Sequence, residues 1–359
     1  MNSVTPKRLL ICPLDWGLGH ATRCVPIIKA LKQRGCEVVV ASSGEALALL
    51  KIEFPQLEFH EIVSYRARYS VRLPFMINIF LQLPKFIKAI HQEHGEIATI
   101  IKEKKIDLVI SDCRYGCWSS SMPAFFITHQ INLLMPPLLN WMSLMINFFN
   151  RHQIRKFTRC WVPDFSANRI TEKLSDPNGL NVDYIGMLSR FDSSSVTNRP
   201  KKYEVLAILS GPEPQRAKLE EILKDQLLRL GKRCLLVQGL VNGSQSINAS
   251  GQLEVVNYLS SNDLQQVIEE SNIIISRSGY SSIMDFARLR SNVIFVPTPG
   301  QTEQQYLAEQ LERKGITFYM TQKEFDLPSA LVKALQYKGF NNAHFPSEPL
   351  DNAIDDLLK

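Results

Sequence analysis

The sequence predicts an α/β protein that contains two doubly wound domains of mainly parallel strands. Three observations support this prediction: apolar strands alternate with helices, the alternation occurs in two series, and a polar stretch separates the two. Strands that are apolar along their whole length are typical of parallel sheets covered by helices on both faces. A chain of 359 residues is long enough to form two domains, each with its own hydrophobic core.

The first series starts with an apolar segment at 8–14, and this pattern predicts a strand that is buried on both faces. The helix predicted at 19–34 ends at Gly35, a residue that suits the left-handed backbone just beyond a helix. Further strands are predicted at 36–42, 57–63, 106–112 and 123–128. Further helices are predicted near 44–50 and across 74–104.

The stretch 162–201 is rich in Pro, Asn, Ser and Asp, and this composition is typical of a linker. A second series of strands and helices then repeats the pattern. Its strands are predicted at 203–210, 234–239, 252–258, 272–276, 292–297 and 316–320. Its helices are predicted at 214–230, 261–270, 279–289, 303–314, 327–337 and 350–358.

The two series define the predicted domains. We expect one Rossmann-like domain at 1–165, a linker region at 166–201 and a second Rossmann-like domain at 202–340. The last segment, 341–359, is expected to form a helix that crosses back to the first domain. A ligand is expected in the cleft between the domains, at the carboxyl ends of the strands.

Composition narrows the class of protein. Hydrophobic residues make up 45% and charged residues 21%, which excludes a disordered, collagen-like or coiled-coil chain. The net charge of +6 is concentrated in residues 1–165, which carry 20 Lys and Arg against 12 Asp and Glu. This excess suits a phosphate-rich partner or an anionic membrane, but it is too weak and unpatterned to indicate nucleic acid. Seven cysteines without a CxxC pair, and an N-terminus without a long apolar segment, predict a cytoplasmic protein with reduced thiols.

One segment is unusually poor in charge. No Asp, Glu, Lys or Arg occurs in the 36 residues from Tyr115 to Asn150, and a patch rich in Arg and Lys follows at once. This length is compatible with a membrane span, but prolines and asparagines interrupt it. Two interpretations of the apolar stretch at 133–149 stay open: a helix lying peripherally on an anionic membrane surface, or a helix buried inside the protein.

The sequence DWGLGHATR at 15–23 connects the first predicted strand and helix. Gly17 and Gly19 permit a tight turn and a close approach to a ligand, and Arg23 follows within the helix. Free N–H groups at the start of a helix favour an anion. The imidazole of His20 is a candidate general base, with capping of the helix or binding of a phosphate as the alternative roles.

Polar residues also follow two other predicted strands of the first series. Asp112 ends the strand at 106–112, where it can accept a hydrogen bond from His20 and fix its tautomer, or instead cap the following loop. His129 and Gln130 follow the strand at 123–128 and are candidates for the same crevice.

The second series carries three comparable loops. Ser278 and Gly279 open a helix after a strand, so their amides can hold a diphosphate, and Asp285 lies about two turns later, where it can bind ribose hydroxyls. The helix after PTPGQT begins with Glu303, Gln304 and Gln305, whose side chains suit sugar hydroxyls. Gly211 forms a close turn after the first strand of this series and is placed to face a phosphate.

Together these motifs resemble those of the GT-B glycosyltransferases, most closely family 28, which includes the enzyme that adds N-acetylglucosamine to the peptidoglycan lipid intermediate. The resemblance covers nearly the whole chain in domain order and is specific at 17–20 and 276–306. It implies a GT-B fold in which the N-terminal domain binds the acceptor and the C-terminal domain binds a UDP-sugar.

The resemblance also implies roles for individual residues. His20 matches the catalytic base, and Asp112 matches the aspartate that partners it in related plant enzymes. The residues expected near the acceptor are Gly17, Gly19, Arg23, His129 and Gln130. The residues expected at the nucleotide sugar are Gly211, Ser278, Gly279, Tyr280, Ser281, Asp285, Glu303, Gln304 and Gln305.

The expected function is inverting transfer of a hexose or N-acetylhexosamine from a UDP-sugar to a hydroxyl acceptor, with a lipid-linked molecule as a candidate acceptor. We expect no metal and no cofactor, because a helix dipole and backbone amides can stabilise the leaving diphosphate. Two alternatives stay open. The GLGHxxR string also resembles the nucleotide-sugar hydrolase of pseudaminic acid synthesis, in which His20 would activate water, and a non-catalytic nucleotide-sugar-binding protein is the other alternative.

Overall fold

A computed structural model describes residues 6–66, 81–167, 169–191, 199–240, 247–340 and 349–359. These residues form two compact units. The first unit contains the described residues up to 188 together with the C-terminal helix, and the second contains those from 189 to 340. Each unit is built on a mainly parallel sheet with helices, which confirms the predicted α/β class.

The sheet of the first unit contains seven described strands, all paired in parallel. They are β1 (Arg8–Pro13), β2 (Glu37–Ser42), β3 (Glu58–Glu61), β4 (Leu108–Asp112), β5 (Ala124–Ile127), β6 (Arg159–Val162) and β7 (Val182–Tyr184). Their order is β3-β2-β1-β4-β5-β6-β7, so the direction of strand succession reverses between β1 and β4. Such a switch point leaves a crevice at the carboxyl ends of the two strands.

Four helices of the first unit lie between these strands. They are α1 (Leu18–Gln33), α2 (Gly44–Glu53), α3 (Leu83–Lys104) and α4 (Ser143–Ile154), with short 3₁₀ helices at Pro137–Met142 and Glu172–Ser175. The part of the predicted 74–104 helix at 74–80 lies outside the described residues. Residues 9–12 of β1 are completely buried, as expected for a central parallel strand.

The second unit repeats this arrangement. Its strands are β8 (Tyr203–Ile208), β9 (Cys234–Val237), β10 (Ile247–Ser250), β11 (Leu253–Val256), β12 (Ser271–Ser276), β13 (Val293–Phe295) and β14 (Phe318–Tyr319). Their order is β10-β11-β9-β8-β12-β13-β14, with the switch point between β8 and β12. Its helices are α5 (Gln215–Arg229), α6 (Ser261–Glu269), α7 (Tyr280–Arg288), α8 (Thr302–Arg313) and α9 (Leu327–Ala334). Only β10 pairs antiparallel among the described strands, and it was not predicted.

The structure corrects part of the predicted linker. The segment up to Leu188 belongs to the first unit, where β7 forms the edge of the sheet. A buried carboxylate explains how so polar a stretch is ordered: Asp164 accepts hydrogen bonds from the backbone N–H groups of Phe165, Ile170 and Thr171, at 2.8, 3.2 and 2.9 Å. Polar residues in this segment therefore satisfy buried backbone groups rather than mark a flexible connection.

The C-terminal helix, α10 (Pro349–Leu358), packs against α1 in the first unit. Its Ile354 is completely buried, and Asp351 and Asp355 both accept hydrogen bonds from Arg34, at 2.8 and 2.6 Å. The described helices include none that is both long enough and apolar enough to cross a membrane.

Candidate active site

The candidate catalytic residues lie where the strands at the switch point of the first sheet end. Strands β1, β4 and β5 are neighbours, and the segments that follow them carry His20, Asp112 and His129. Because parallel strands present their carboxyl ends at one edge of the sheet, residues that are far apart in sequence meet there. The structure brings these three side chains into one cluster.

The glycine loop leads directly into helix α1. Gly17 has φ of 85° and ψ of 167°, a conformation that favours glycine, and α1 begins at the next residue. Gly19 and His20 therefore lie in the first turn of α1, where backbone N–H groups have no partner within the helix. The contact of Gly17 and Gly19 with an acceptor remains a prediction.

His20 is held by the carboxylate of Asp112. Its Nδ1 lies 2.8 Å from Oδ1 of Asp112, which is completely buried, whereas 18% of the His20 side chain is exposed. Burial lowers the pKa of His20, and the nearby Asp112 only partly offsets this effect. A neutral imidazole that donates its Nδ1 proton to Asp112 retains a lone pair on Nε2, so His20 is set up to accept a proton there.

Arg23 was expected near the acceptor, and the structure places it inside the first unit instead. Its side chain is only 1% exposed, and both Nε and Nη2 donate to the carboxylate of Asp112. Burial alone would raise the pKa of Asp112, but the charges of Arg23 and His20 hold this pKa well below its ordinary range. Asp112 is therefore an anion whose charge Arg23 balances.

Arg23 also contacts two imidazoles. Its Nη1 lies 2.9 Å from Nδ1 of His129. Its Nη2 lies 2.9 Å from Nδ1 of His20, but this contact is not a hydrogen bond when Nδ1 carries the proton that it donates to Asp112, because both groups are then donors. His129 is buried, and the guanidinium is a permanent donor, so Nδ1 of His129 accepts this hydrogen bond. Gln130 is partly exposed beside it, and its carbonyl accepts a hydrogen bond from Asn150. The roles of His129 and Gln130 at an acceptor remain predictions.

One group of side chains in the described residues has ligand atoms close enough for a metal ion: His20, Asp112 and Cys113. The guanidinium of Arg23 already lies among them, with Nη2 3.3 Å from Cys113 Sγ. Burial also raises the pKa of the Cys113 thiol to about 12, which disfavours the thiolate that a metal requires. A second cation in this position would repel Arg23, so this group does not fit a metal ion.

A second buried ion cluster, which the sequence did not predict, supports the glycine loop. Arg114 is completely buried and binds Glu93 at 2.6 Å, Asp15 at 3.2 Å and Ser43 at 2.8 Å. Its Nε also donates to the carbonyl of Pro13 at the end of β1. These contacts join the ends of β1 and β2 to Asp15, which opens the loop. The sequence feature that could have indicated this cluster is the presence of two charged residues, Asp112 and Arg114, at the end of an apolar strand.

The candidate donor residues follow the central strands of the second sheet. Strands β8, β12 and β13 are neighbours, and the loops after them contain Gly211, the segment 277–279 and the segment 296–301. Gly211 has φ of 103°, and a Cβ there would lie 3.6 Å from Oγ1 of Thr298. The loops after β8 and β13 are thus in close proximity.

The helix α7 begins at Tyr280, one residue after the predicted start at 279. Gly279 is its N-cap, and Tyr280 and Ser281 form its first turn. Ser278, however, is completely buried, and its hydroxyl donates to the carbonyl of Gln304 at 2.7 Å. The Ser278 hydroxyl therefore connects two loops, while backbone amides at the start of α7 remain the groups suited to a phosphate.

Asp285 is buried on α7 and already has partners. Its carboxylate oxygens accept hydrogen bonds from Oγ of Ser189 at 2.7 Å and Nε of Arg190 at 3.2 Å. Burial raises the pKa of Asp285, an effect that Arg190 and Ser189 only partly offset. A ribose bound here would share the carboxylate with these residues.

The three polar residues at the start of α8 differ in exposure. Gln304 is buried, and its carboxamide accepts from the N–H of Thr298 at 2.8 Å and donates to Gln301 at 2.6 Å. Gln304 thus fixes the loop after β13. Glu303 is partly exposed and Gln305 is exposed, so a sugar could reach both side chains.

Comparisons with known proteins point to glycosyltransferases. Residues 230–354 match the glycosyltransferase family 28 C-terminal domain. An uncharacterised glycosyltransferase of Methanopyrus kandleri is 21% identical over 86% of this chain and 90% of its own length. The UDP-N-acetylglucosamine–N-acetylmuramyl-(pentapeptide) pyrophosphoryl-undecaprenol N-acetylglucosamine transferase of Acinetobacter baylyi is 22% identical over 83% of this chain and 79% of its own.

Solved structures share the fold over almost the whole chain. MurG of Acinetobacter baumannii superposes with a TM-score of 0.58 at 16% identity, covering 98% of this chain and 99% of its own. The spinosyn rhamnosyltransferase SpnG complexed with thymidine diphosphate gives a TM-score of 0.64 at 13% identity, covering 98% and 100%. The chain has the GT-B fold and resembles glycosyltransferase family 28. The match to the family 28 C-terminal domain and the relatives named as glycosyltransferases support glycosyltransferase activity.

Proposed function

We propose that the chain is an inverting glycosyltransferase that moves a hexose or N-acetylhexosamine from a UDP-sugar to a hydroxyl acceptor. The observation that carries this proposal is the contact between His20 Nδ1 and the buried Asp112, which leaves Nε2 to take a proton at the crevice of the first sheet. The match of residues 230–354 to the family 28 C-terminal domain, mostly within the second unit, is the reason to propose a nucleotide-sugar donor.

The proposed reaction balances without a metal ion. Nε2 of His20 removes the proton of the acceptor hydroxyl while that oxygen attacks C1 of the sugar from the face opposite the phosphate. The bond between C1 and the phosphate oxygen breaks, and the electron pair leaves with UDP. Backbone N–H groups at the start of α7 stabilise the charge on the departing diphosphate.

A panel of nucleotide sugars tests the proposal. We expect one UDP-sugar to raise the melting temperature selectively, because a ligand that binds only the folded state stabilises it. TDP-sugars belong in the panel because the rhamnosyltransferase of similar fold is complexed with thymidine diphosphate. Turnover with an acceptor should persist in the presence of a chelator.

Two outcomes would contradict the proposal. If no nucleotide sugar stabilises the protein, the donor assignment is wrong. If free sugar appears without an acceptor at the full rate of turnover, the protein is a hydrolase, and His20 activates water.

Asp285 is proposed to bind the ribose of the donor. Replacing it by Asn should weaken UDP binding by about 10- to 100-fold, because a hydrogen bond to a charged group is worth about 1.5–3 kcal/mol. Calorimetric titration with UDP measures this loss. The matched control is Ser189→Ala, which removes a partner of Asp285 but leaves its carboxylate. Equal losses in both variants would show that Asp285 acts only through the internal contact.

We further propose that the first unit associates peripherally with an anionic membrane and uses a lipid-linked acceptor. Helix α4 exposes Leu144 and Phe148 by 79% and 63%, and the 3₁₀ helix before it exposes Trp141 by 75%. Such exposure does not fit the interpretation of a buried helix. The relative from Acinetobacter baylyi is named for a substrate attached to undecaprenol, which supports a lipid-linked acceptor.

Basic side chains continue the same face of α4. Leu144, Phe148, Arg151 and Arg155 follow one another at intervals of three or four residues and line a cavity of about 540 Å³. Apolar side chains at one end and guanidinium groups at the other suit the boundary between acyl chains and phosphate headgroups.

Vesicle flotation tests this surface. We expect the protein to float with vesicles that contain phosphatidylglycerol, and less so with phosphatidylcholine alone or in high salt. The double variant Leu144→Ser, Phe148→Ser should lose most of this binding. Leu335→Ser is the matched control, since Leu335 is an 84% exposed leucine of the second unit. Equal flotation of both variants would refute the assignment.

A further inference from the structure

Three arginines are among the largest completely buried side chains: Arg23, Arg114 and Arg277. The first two form ion pairs, Arg23 with Asp112 and Arg114 with Glu93 and Asp15. Within the described part of the chain, Arg277 forms no ion pair. A buried charge without a counter-ion is costly, so its presence calls for a physical reason.

Arg277 is bound by neutral groups. Its Nη1 donates to the carbonyls of Val296 and Pro297, at 3.0 and 3.2 Å. Its Nη2 donates to the carbonyl of Gln215 at 2.8 Å and to Oε1 of Gln322 at 2.7 Å. Its Nε is buried without a hydrogen-bond partner. These contacts join the segments that follow β8, β13 and β14 to the end of β12.

The pKa of Arg277 differs in direction from those of the other two buried arginines. Burial lowers the pKa of Arg277 to about 10, and no carboxylate among the described residues counters this effect. For Arg23 and Arg114, burial acts in the same direction, but their carboxylate partners raise the pKa overall. Arg277 thus retains an unbalanced positive charge in a region of low dielectric.

This charge lies at the edge of the sheet that carries the candidate diphosphate loops. Arg277 directly precedes Ser278 and Gly279, and its carbonyl partners flank the loops after β8 and β13. Two further buried polar atoms at this edge have no partner in the described residues, Oγ of Ser276 and Oγ1 of Thr298. The edge therefore combines an unbalanced cation with two unused hydroxyls.

We propose that Arg277 is a positioning residue for the donor's diphosphate. The guanidinium braces the loops that hold the diphosphate, and the negative charge of the diphosphate balances the buried positive charge. This inference rests on the proposed function, because a nucleotide-sugar donor supplies the diphosphate. Arg277 is itself only 1% exposed, so it acts on the ligand through short-range charge and through the carbonyls it holds. A neutral hydrogen-bond donor could hold the carbonyls, but only a cation can balance the negative charge of a diphosphate.

The test compares UDP with uridine in wild type, Arg277→Lys and Arg277→Gln. We expect Arg277→Gln to weaken UDP binding by about 10- to 100-fold and to leave uridine binding nearly unchanged, because only UDP carries the diphosphate. Arg277→Lys, which keeps the charge, should retain most of the affinity for UDP. The matched control is Arg229→Gln, which removes a positive charge from the exposed surface of the same unit.

Equal losses of affinity for UDP and for uridine would show that Arg277 only supports the structure, and they would overturn the inference. Unchanged UDP binding by Arg277→Gln would also overturn it. If Arg277→Gln does not fold, inorganic pyrophosphate provides a second measurement. It should raise the melting temperature of the wild type and, nearly as strongly, that of Arg277→Lys, which keeps the charge; a wild type that pyrophosphate does not stabilise contradicts the inference. If the wild type transfers no sugar but binds pyrophosphate through Arg277, the proposed function is wrong and the assignment of a diphosphate site at Arg277 stands.

Discussion

Replacing His20 by Ala is expected to lower kcat for sugar transfer by about 10²- to 10⁴-fold, the usual contribution of a general base. The imidazole is the group whose Nε2 is proposed to take the acceptor proton, and Asp112 cannot replace it because its carboxylate is buried and bound to Arg23. UDP affinity should stay nearly unchanged, since the candidate diphosphate loops lie in the other unit. Steady-state turnover and calorimetry with UDP measure the two quantities separately.

The control for this variant is His91→Ala, which removes an exposed histidine from helix α3 of the same unit. Its turnover should match that of the wild type. Full activity in His20→Ala would end the assignment of His20 as the base. A loss of UDP affinity equal to the loss of kcat would show that His20 serves the donor instead.

Replacing Arg23 by Gln is expected to move the acidic limb of the kcat/KM profile to higher pH. Burial is the largest cause that lowers the pKa of His20, and the charge of Arg23 lowers it further, whereas Asp112 raises it. Without Arg23, the guanidinium no longer repels the protonated form of His20, and the negative charge of Asp112 is no longer balanced. The pKa of His20 therefore rises. A base must be unprotonated to act, so activity should fall below the new pKa and recover at higher pH.

The stability of the first unit provides a separate measurement of the effect of replacing Arg23. A buried Asp112 without its partner should destabilise the first unit by about 3–5 kcal/mol, so Arg23→Lys is the variant that keeps the charge. We expect Arg23→Lys to retain the wild-type position of the acidic limb, with a lower rate because the bidentate geometry is lost. An unshifted limb in Arg23→Gln, with folding verified by circular dichroism, would show that Arg23 is only a structural partner of Asp112.

Much of the fold was predictable from local sequence. The central strands are continuous apolar runs, and β1 and β4 lie inside the segments predicted from that pattern. Strands β6 and β7 were missed because the chain around them is polar, and the residue that orders it is the buried Asp164. Strand β10 pairs antiparallel with β11 at the sheet edge, a position that hydrophobic pattern does not reveal.

The site was predictable to a lesser degree. His20 and Asp112 each follow an apolar strand, so the rule that parallel strands end at one edge placed them together. Arg23 was expected beside an acceptor and Arg114 was overlooked, because charged side chains are usually exposed. Their partners are 89 and 21 residues away in the chain, and no local pattern records such pairs.

The sequence by itself therefore determined the two α/β units, the glycine loop and the identity of the candidate base. Hydrophobic alternation and glycine placement depend on neighbours along the chain, so they can be read without coordinates. Only the tertiary structure decided how the buried charges are matched. It shows that Asp112 and Glu93 are balanced by arginines and that Arg277 is not, because burial and counter-ions depend on which distant segments come together.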